Sequence, residues 1–364
     1  MFALQRIFLS INVYLYIRGS SQVLIPNEIQ TKLESYYTLK FPEYDLIQVK
    51  NIQKLLGGWE SILFKYTLIY SLNNSEFQID QVIRLYPTSD GGERAKYEYD
   101  VLGNLNYSVV PIPEIYIYEL DSKYLGYPFI TMEYIHGQPF SKIFIEANEQ
   151  DRSRLILKFT KILVDLHITD WSTLVKDPNN VIYKNPYYFL VNELNTYRAL
   201  IEQHDKLEFY PILEWLWKNL DTIKDHRLCI SHLDFHFGNI IVSDNEELTV
   251  IDWQGSRMTD FRFDLAWTLL IHETYFNKYI RDQIFNTYKS ISPIEINNIK
   301  YFEVLSILKK LLDLSLTFSF GSELSRIFPS SVEEVKRNMQ PIRESLALLY
   351  GHTRIKIPEI QKLL

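Results

Sequence analysis

The residues best suited to chemistry lie together between Ile230 and Trp267. Asp234 and Asn239 stand in a polar segment, and Asp252 ends the apolar run that follows it. A carboxylate can accept the proton of a hydroxyl group, and carboxylate and amide oxygens are ligands that suit Mg²⁺. The residue types therefore predict phosphoryl transfer, with Asp234 as the base and with Asn239 and Asp252 as the metal ligands.

Short apolar runs are expected to hold these residues in place. Leu228–Ser231 and Ile240–Val242 flank the polar segment and are predicted to be strands. A turn over 243–246 leads to a third run, Leu248–Ile251. Because the polar ends of such strands face one another across a hairpin, the three side chains are expected to meet.

The same stretch resembles the aminoglycoside phosphotransferase and choline kinase-like family, a branch of the protein-kinase-like fold. The family motif runs roughly H-G-D-x-H-x-x-N, then I-D-W, then D-x-x-x-D-L-A. The matching residues here are His232, Asp234, His236, Asn239, Ile251-Asp252-Trp253, Asp260 and Asp264-Leu265-Ala266. The spacing of His232, Asp234 and Asn239 is also that of the kinase catalytic loop. Leu233 stands where the family usually has glycine, which bears on the backbone geometry of the loop.

Four further polar residues of the stretch are expected to support the site. We expect His232 and His236 mainly to orient their neighbours. Asp260 and Asp264 are expected to brace the loop rather than to touch a substrate. Asp264 also sits where the N-cap of the following helix is predicted.

An upstream glycine pair is the candidate cover for the nucleotide phosphates. Gly57 and Gly58 separate two predicted strands within 45–68, and glycine lets a backbone approach a phosphate closely. The resemblance implies that this hairpin covers the phosphates. Ser61 is expected to add a hydroxyl contact.

The rest of the predicted nucleotide site lies between the hairpin and the catalytic stretch. Arg84, in the alternating strand 77–86, stands where kinase-like enzymes have a phosphate-binding lysine, and arginine keeps the charge. Glu98, on a predicted helix over 92–105, is expected to pair with it. Segment 132–137 resembles the inter-lobe hinge, so the backbone at Glu133 and Tyr134 is expected to bind an adenine edge.

These elements, together with the resemblance, predict an α+β, two-lobed, protein-kinase-like fold. The expected limits are an N-terminal extension over 1–26, a nucleotide-binding N-lobe with a small antiparallel sheet over 27–135, and a larger helical C-lobe with the catalytic loop and acceptor site over 136–364. Residues 1–22 have some features of a secretory signal, but the cleavage region is poor. A mistaken start site or a packed extension is the preferred interpretation.

The composition argues against several classes of partner. A net charge of −7 without basic patches does not suit nucleic-acid binding. No apolar stretch is long enough to span a membrane. The single cysteine, Cys229, excludes an intramolecular disulfide and fits a reducing compartment. We therefore expect a cytoplasmic protein with a small hydroxyl-bearing substrate as its partner.

The leading hypothesis is an ATP- and Mg²⁺-dependent phosphotransferase, with GTP as a possible donor, that moves the γ-phosphate to a hydroxyl of a small molecule. A catalytically inactive nucleotide-binding pseudokinase is the alternative, and Leu233 and Arg84 are its support. A metal-dependent hydrolase is a third possibility, although it leaves the glycine hairpin and the hinge unexplained. The acceptor, the choice of ATP or GTP and the oligomeric state stay open.

Overall fold

The computed structural model describes residues 26–55, 61–175, 177, 179–185, 187–319 and 339–361. Gly57, Gly58 and residues 1–22 lie outside the described residues.

The N-terminal part contains a five-stranded antiparallel sheet in the order β1-β2-β3-β5-β4. Its elements are α1 (Pro26–Lys40), β1 (Leu46–Lys54), β2 (Ile62–Leu72), β3 (Ser75–Leu85), α2 (Gly91–Leu105), β4 (Ile115–Glu119) and β5 (Phe129–Glu133). Helix α1 buries Ile29 and Leu33 against Phe64 and Leu68 of β2. The alternation of apolar side chains along β2 thus supplies the face on which this helix packs.

The larger C-terminal part is mainly helical. Its helices are α3 (Phe140–Glu146), α4 (Glu149–Ile168), α5 (Val181–Lys184), α6 (Tyr188–Gln203), α7 (Tyr210–Asn219), α8 (Phe261–Tyr275), α9 (Lys278–Ile291), α10 (Ile299–Ser319), α11 (Gln340–Thr353) and α12 (Pro358–Gln361). Helix α8 is buried along most of its length and packs against α10. None of the helices among the described residues is both long and apolar enough to cross a membrane.

Two small sheets in this part carry the polar segment of interest. One pairs β7 (Leu228–Ser231) with β10 (Arg257–Asp260), and the other has the order β6 (Gln138–Pro139), β8 (Ile240–Val242) and β9 (Leu248–Val250). Strands β8 and β9 form the predicted hairpin, with Ile240 opposite Val250. The α+β fold with a small antiparallel sheet and a larger helical lobe is confirmed.

The chain leaves the five-stranded sheet after Glu133 and enters the mainly helical C-terminal part at Gln138, which pairs with Val242. Gly137 lies in this connection with a φ of +157°, and a Cβ there would come within 2.1 Å of the Val242 carbonyl oxygen. Only glycine allows so close an approach. The predicted residue limits of the two lobes stay a prediction.

Candidate active site

The catalytic loop is fastened to helix α8 by one buried carboxylate. Asp264 accepts the backbone N–H of His232 at 2.8 Å through Oδ2 and that of Leu233 at 2.7 Å through Oδ1. The prediction that Asp264 is an N-cap is wrong, because α8 begins at Phe261 and its N-cap is Asp260. Since Asp264 lies inside the first turn, its carboxylate is available to the loop.

Leu233 occupies the left-handed region of backbone conformation, with a φ of +60°. That region costs a residue with a Cβ roughly 1–2 kcal/mol, and a glycine would adopt it without this strain. The leucine side chain is 3% exposed and belongs to the main core of the helical lobe. Burial of the side chain and the bond to Asp264 therefore offset the backbone strain.

Asp260 supports the helix rather than the loop. Its carboxylate accepts the backbone N–H of Arg262 at 3.0 Å and the guanidinium of the same residue at 2.8 Å, and His226 lies 3.2 Å away. Among the described residues we find no contact of Asp260 with the catalytic loop. The contacts of Asp260 are with the start of α8 and with His226, and its predicted bracing of the loop stays a prediction.

The two loop histidines bond to the loop backbone, and His232 also reaches a second segment. The His232 Nε2 lies 3.0 Å from the carbonyl of Ile251, and its Nδ1 accepts the backbone N–H of Asp234 at 3.2 Å. The His236 Nδ1 accepts the backbone N–H of Gly238 at 3.0 Å, which leaves Nε2 3.5 Å from Asp234 Oδ2. His232 thereby connects the loop to the strand that delivers Asp252.

Asn239 connects the other two members of the predicted set. Its Nδ2 donates to the backbone carbonyl of Asp234 at 2.9 Å and to Oδ2 of the same residue at 3.0 Å. Its own backbone carbonyl accepts the N–H of Ile251 at 2.9 Å, directly before Asp252. Asn239 thus links Asp234 through its side chain and the residue before Asp252 through its backbone, while the meeting of all three side chains stays a prediction.

Asp234 is held in its charged form although it is partly desolvated. Burial raises the pKa of the Asp234 carboxyl, but nearby cationic groups, chiefly His236, lower it by more. The resulting pKa lies below the usual range. Burial lowers the pKa of His236, and the Asp234 carboxylate more than reverses this. The side chain of Asp234 is still 42% exposed, so a substrate can reach it.

Asp252 is an aspartate in a left-handed conformation, with a φ of +69°. Its Oδ1 accepts the Arg84 Nη1 and the Gln254 Nε2, each at 2.9 Å. Burial raises the pKa of this carboxyl and Arg84 lowers it more, so the group is a carboxylate. Its Oδ2 accepts no hydrogen bond from the part of the chain that the structure describes.

Arg84 extends from β3 into the same site and is 5% exposed. The predicted ion pair with Glu98 is present at 3.5 Å, but Asp252 is the nearer partner. Glu98 also accepts the Tyr86 hydroxyl at 2.6 Å. Burial lowers the pKa of the guanidinium, and the two carboxylates raise it by more. Burial raises the pKa of Glu98 despite its cationic neighbour.

Two buried polar groups near Arg84 are left without a partner among the described residues. These are the Ser61 Oγ and the Nε of Arg84 itself. Leu63 pairs with Arg84 in the sheet register, and Ser61, two residues before it, lies on the same face. Buried polar groups are normally hydrogen-bonded, so these two atoms mark this face of the sheet as one where a partner is missing among the described residues.

The backbone N–H groups of the predicted hinge are bonded within the protein. The backbone N–H of Glu133 donates to the Glu114 carbonyl at 2.8 Å, and that of Tyr134 donates to the Asp80 carbonyl at 3.1 Å. Both N–H groups are therefore used within the protein. The predicted contact of this backbone with an adenine edge stays a prediction, and it would have to use the carbonyl groups of Glu133 and Tyr134 or the backbone of 135–137.

The sequence profile of the phosphotransferase enzyme family matches residues 70–291, which is more than half of the chain. The chain belongs to this family. The resemblance drawn from the catalytic-loop motifs is confirmed. Small-molecule phosphotransfer is the general chemistry that membership supports.

Known proteins show how far the likeness extends. Acyl-CoA dehydrogenase family member 11 of Pongo abelii is 27% identical over 159 residues, which are 43% of this chain and 20% of that protein. The chain thus spans about a fifth of the length of the curated relatives it matches.

Two solved structures share the fold. The Plasmodium vivax ethanolamine kinase has a TM-score of 0.61 at 17% identity, over 92% of this chain and 94% of that one. The GDP complex of wild-type aminoglycoside 2′-phosphotransferase-IIIa has a TM-score of 0.54 at 16% identity, over 89% of this chain and 98% of that one. These likenesses confirm the kinase-like fold.

The oxygens of the site fit a magnesium ion. No group of three or more His, Cys, Asp or Glu side chains among the described residues could hold a metal by itself. Mg²⁺ is usually bound through one or two protein ligands together with waters and substrate phosphates. The Asn239 amide donates through Nδ2, which leaves Oδ1, and Asp252 offers Oδ2. This donor set suits a hard cation shared with a nucleotide.

Two residues that touch the site were not predicted from the sequence. The Trp267 Nε1 donates to Asp234 Oδ1 at 3.1 Å, and Gln254 donates to Asp252. Trp267 directly follows the D-L-A motif and fits the pattern of an apolar helix residue. Its position after that motif is the one signal that could have drawn attention to it.

Proposed function

We propose that this phosphotransferase moves the γ-phosphate of ATP or GTP to a hydroxyl group of a small molecule, with Mg²⁺ as the cofactor. Asp234 is the base, and Asn239 and Asp252 are the metal ligands. Arg84 binds phosphate and Glu98 supports it. The cytoplasm, where nucleotides are available, is the proposed location.

In this proposal the residues act mainly by positioning charge. Asp234 accepts the hydroxyl proton of the acceptor as the acceptor oxygen bonds to the γ-phosphorus and the bond from that phosphorus to the β–γ bridging oxygen breaks, which releases the nucleoside diphosphate. Its depressed pKa keeps it ready for that task at neutral pH. Asn239 holds the carboxylate by one oxygen, which limits its rotation. Mg²⁺, when bound, neutralises phosphate charge between the two ligand residues.

One observation carries the proposal most directly. Asn239 touches Asp234 with its side chain and is bonded through its backbone to Ile251, the residue before Asp252. Asn239, itself a proposed ligand, thus links the proposed base to the segment that carries the second proposed ligand, Asp252. The Ser61 Oγ and the Arg84 Nε are buried without a hydrogen-bond partner among the described residues, which supports a place for phosphate on this face of the sheet.

A thermal-shift titration tests the nucleotide part of the proposal. Wild-type protein is melted with ATP or GTP, each with and without Mg²⁺, because a ligand that binds the native state raises the melting temperature. A nucleotide at a hundred times its Kd stabilises by about 2.7 kcal/mol. We expect a shift that needs Mg²⁺, followed by phosphate transfer in a screen of hydroxyl compounds.

The other hypotheses give different results in the same experiment. A Mg²⁺-dependent shift without phosphate transfer or release would favour the inactive nucleotide-binding protein. No shift at millimolar nucleotide, in folded protein, would contradict the proposal and leave the metal-dependent hydrolase.

A further inference from the structure

Trp267 of helix α8 holds the oxygen of Asp234 that Asn239 does not. The indole Nε1–H donates to Oδ1 at 3.1 Å, while Asn239 donates to Oδ2 at 3.0 Å. Rotation of a carboxylate about its last side-chain torsion is otherwise broad and weakly restrained. Two donors on different oxygens fix the plane of the group.

The indole is itself held from helix α10. The Lys309 ammonium lies 4.2 Å from the centroid of the Trp267 ring, within the range of a cation–π interaction. Asp313, one turn further along α10, pairs with Lys309 at 2.6 Å. The contacts therefore run from α10 through α8 to the catalytic loop.

We propose that Trp267 is a positioning residue for phosphate transfer, which orients Asp234 through its indole N–H while Lys309 holds the ring. This inference rests on the proposed function, because it assigns Asp234 a reacting role. An aspartate that can turn would meet the acceptor hydroxyl less often in the right geometry. A misplacement of about 1 Å can cost about a hundredfold in rate.

The hydrogen bond is tested without catalysis by NMR on protein labelled with ¹⁵N-tryptophan. The chain has six tryptophans, so the Trp267 indole signal is assigned by its loss in Trp267→Phe. We expect Asp234→Asn and Lys309→Met each to move that signal and to leave the Trp215 signal in place. An unchanged Trp267 signal in Asp234→Asn would overturn the inference.

The positioning role is tested by phosphate release from ATP and Mg²⁺ with water as the acceptor, normalised to the number of nucleotide-binding sites. Trp267→Phe is expected to lower kcat about tenfold to a hundredfold with an unchanged KM for ATP. Trp267→His, which keeps a ring N–H, recovers part of the rate.

The matched control is Trp215→Phe in α7, whose ring packs on the helical core. It should keep the wild-type kcat and the wild-type KM for ATP. If the wild type releases phosphate and Trp267→Phe behaves like this control, the inference is wrong while the proposed function stands. If the wild type neither releases nor transfers phosphate, the proposed function fails and the inference fails with it.

Discussion

The carboxylate of Asp264 accepts the backbone N–H of Leu233 at 2.7 Å, at a leucine whose φ is +60°. The left-handed conformation turns the N–H groups of His232 and Leu233 towards the same carboxylate. Hydrogen bonds to charged groups are worth about 1.5–3 kcal/mol each, which exceeds the roughly 1–2 kcal/mol of strain. The buried side chain adds to that stabilisation.

Substitution of Leu233 separates strain from burial. Leu233→Ala removes the buried side chain and keeps the strain, so it should lower the free energy of unfolding by roughly 2–5 kcal/mol. Leu233→Gly removes both, although glycine gains entropy in the unfolded chain. We expect it to be more stable than the alanine variant by roughly 0.5–1 kcal/mol in urea unfolding. The opposite order would contradict the account of strain.

Asp234→Asn should separate chemistry from binding. The amide keeps the shape of the side chain and loses its ability to accept a proton, so turnover should fall about 10²–10⁴-fold. The nucleotide-induced thermal shift should persist. Asp244→Asn makes the same chemical change at an exposed position of the β8–β9 turn and serves as the control. Equal turnover of Asp234→Asn and wild type would refute the assignment of the base.

Asp252→Ala should act on the Mg²⁺-dependent part of nucleotide binding. Its carboxylate is the closest partner of Arg84 and the proposed oxygen ligand of the cation. The variant should lose most of the difference between melting curves with and without Mg²⁺, measured at equal ATP. A full Mg²⁺-dependent shift in Asp252→Ala would remove this residue from the metal site.

The sequence was informative where the chemistry is encoded locally. Asp234 and Asn239 are five residues apart in the sequence. The short turn after Val242 leaves β8 little choice but to pair with β9. The pairing of Arg84 with Glu98 could be predicted because Arg84 lies on a strand with alternating apolar residues and Glu98 lies on a predicted helix. These relationships need only short-range geometry and a known motif.

Long-range side-chain contacts were beyond the sequence. Trp267 looks like one more apolar residue of a buried helix, and only the fold brings its N–H to Asp234, 33 residues away. Asp264 looked like an N-cap because the apolar pattern does not show that α8 already begins at Phe261, with Asp260 as its N-cap. The internal hydrogen bonds of the Glu133 and Tyr134 N–H groups to the Glu114 and Asp80 carbonyls were likewise not visible in the sequence.

A buried histidine next to the loop gives the protein a further dependence on pH. His272 of α8 is fully buried, its Nδ1 lies 2.7 Å from the Thr268 carbonyl, and its ring packs 4.2 Å from that of Phe237. Burial lowers the pKa of the imidazole to about 3. The folded protein therefore keeps this histidine neutral where the unfolded chain, with a pKa near 6.5, protonates it.

This difference predicts a loss of stability in mild acid. Because the unfolded state binds the extra proton, the free energy of unfolding should fall as the pH drops from about 6.5 towards 3, by up to about 1.4 kcal/mol per pH unit. His272→Phe removes the titrating group and fills the space among aromatic rings. The free energy of unfolding of both proteins is measured in urea at pH 7.5 and at pH 5. Between these pH values the wild type should lose about 2 kcal/mol more stability than His272→Phe. Parallel losses in the two proteins would mean that His272 does not cause the acid sensitivity.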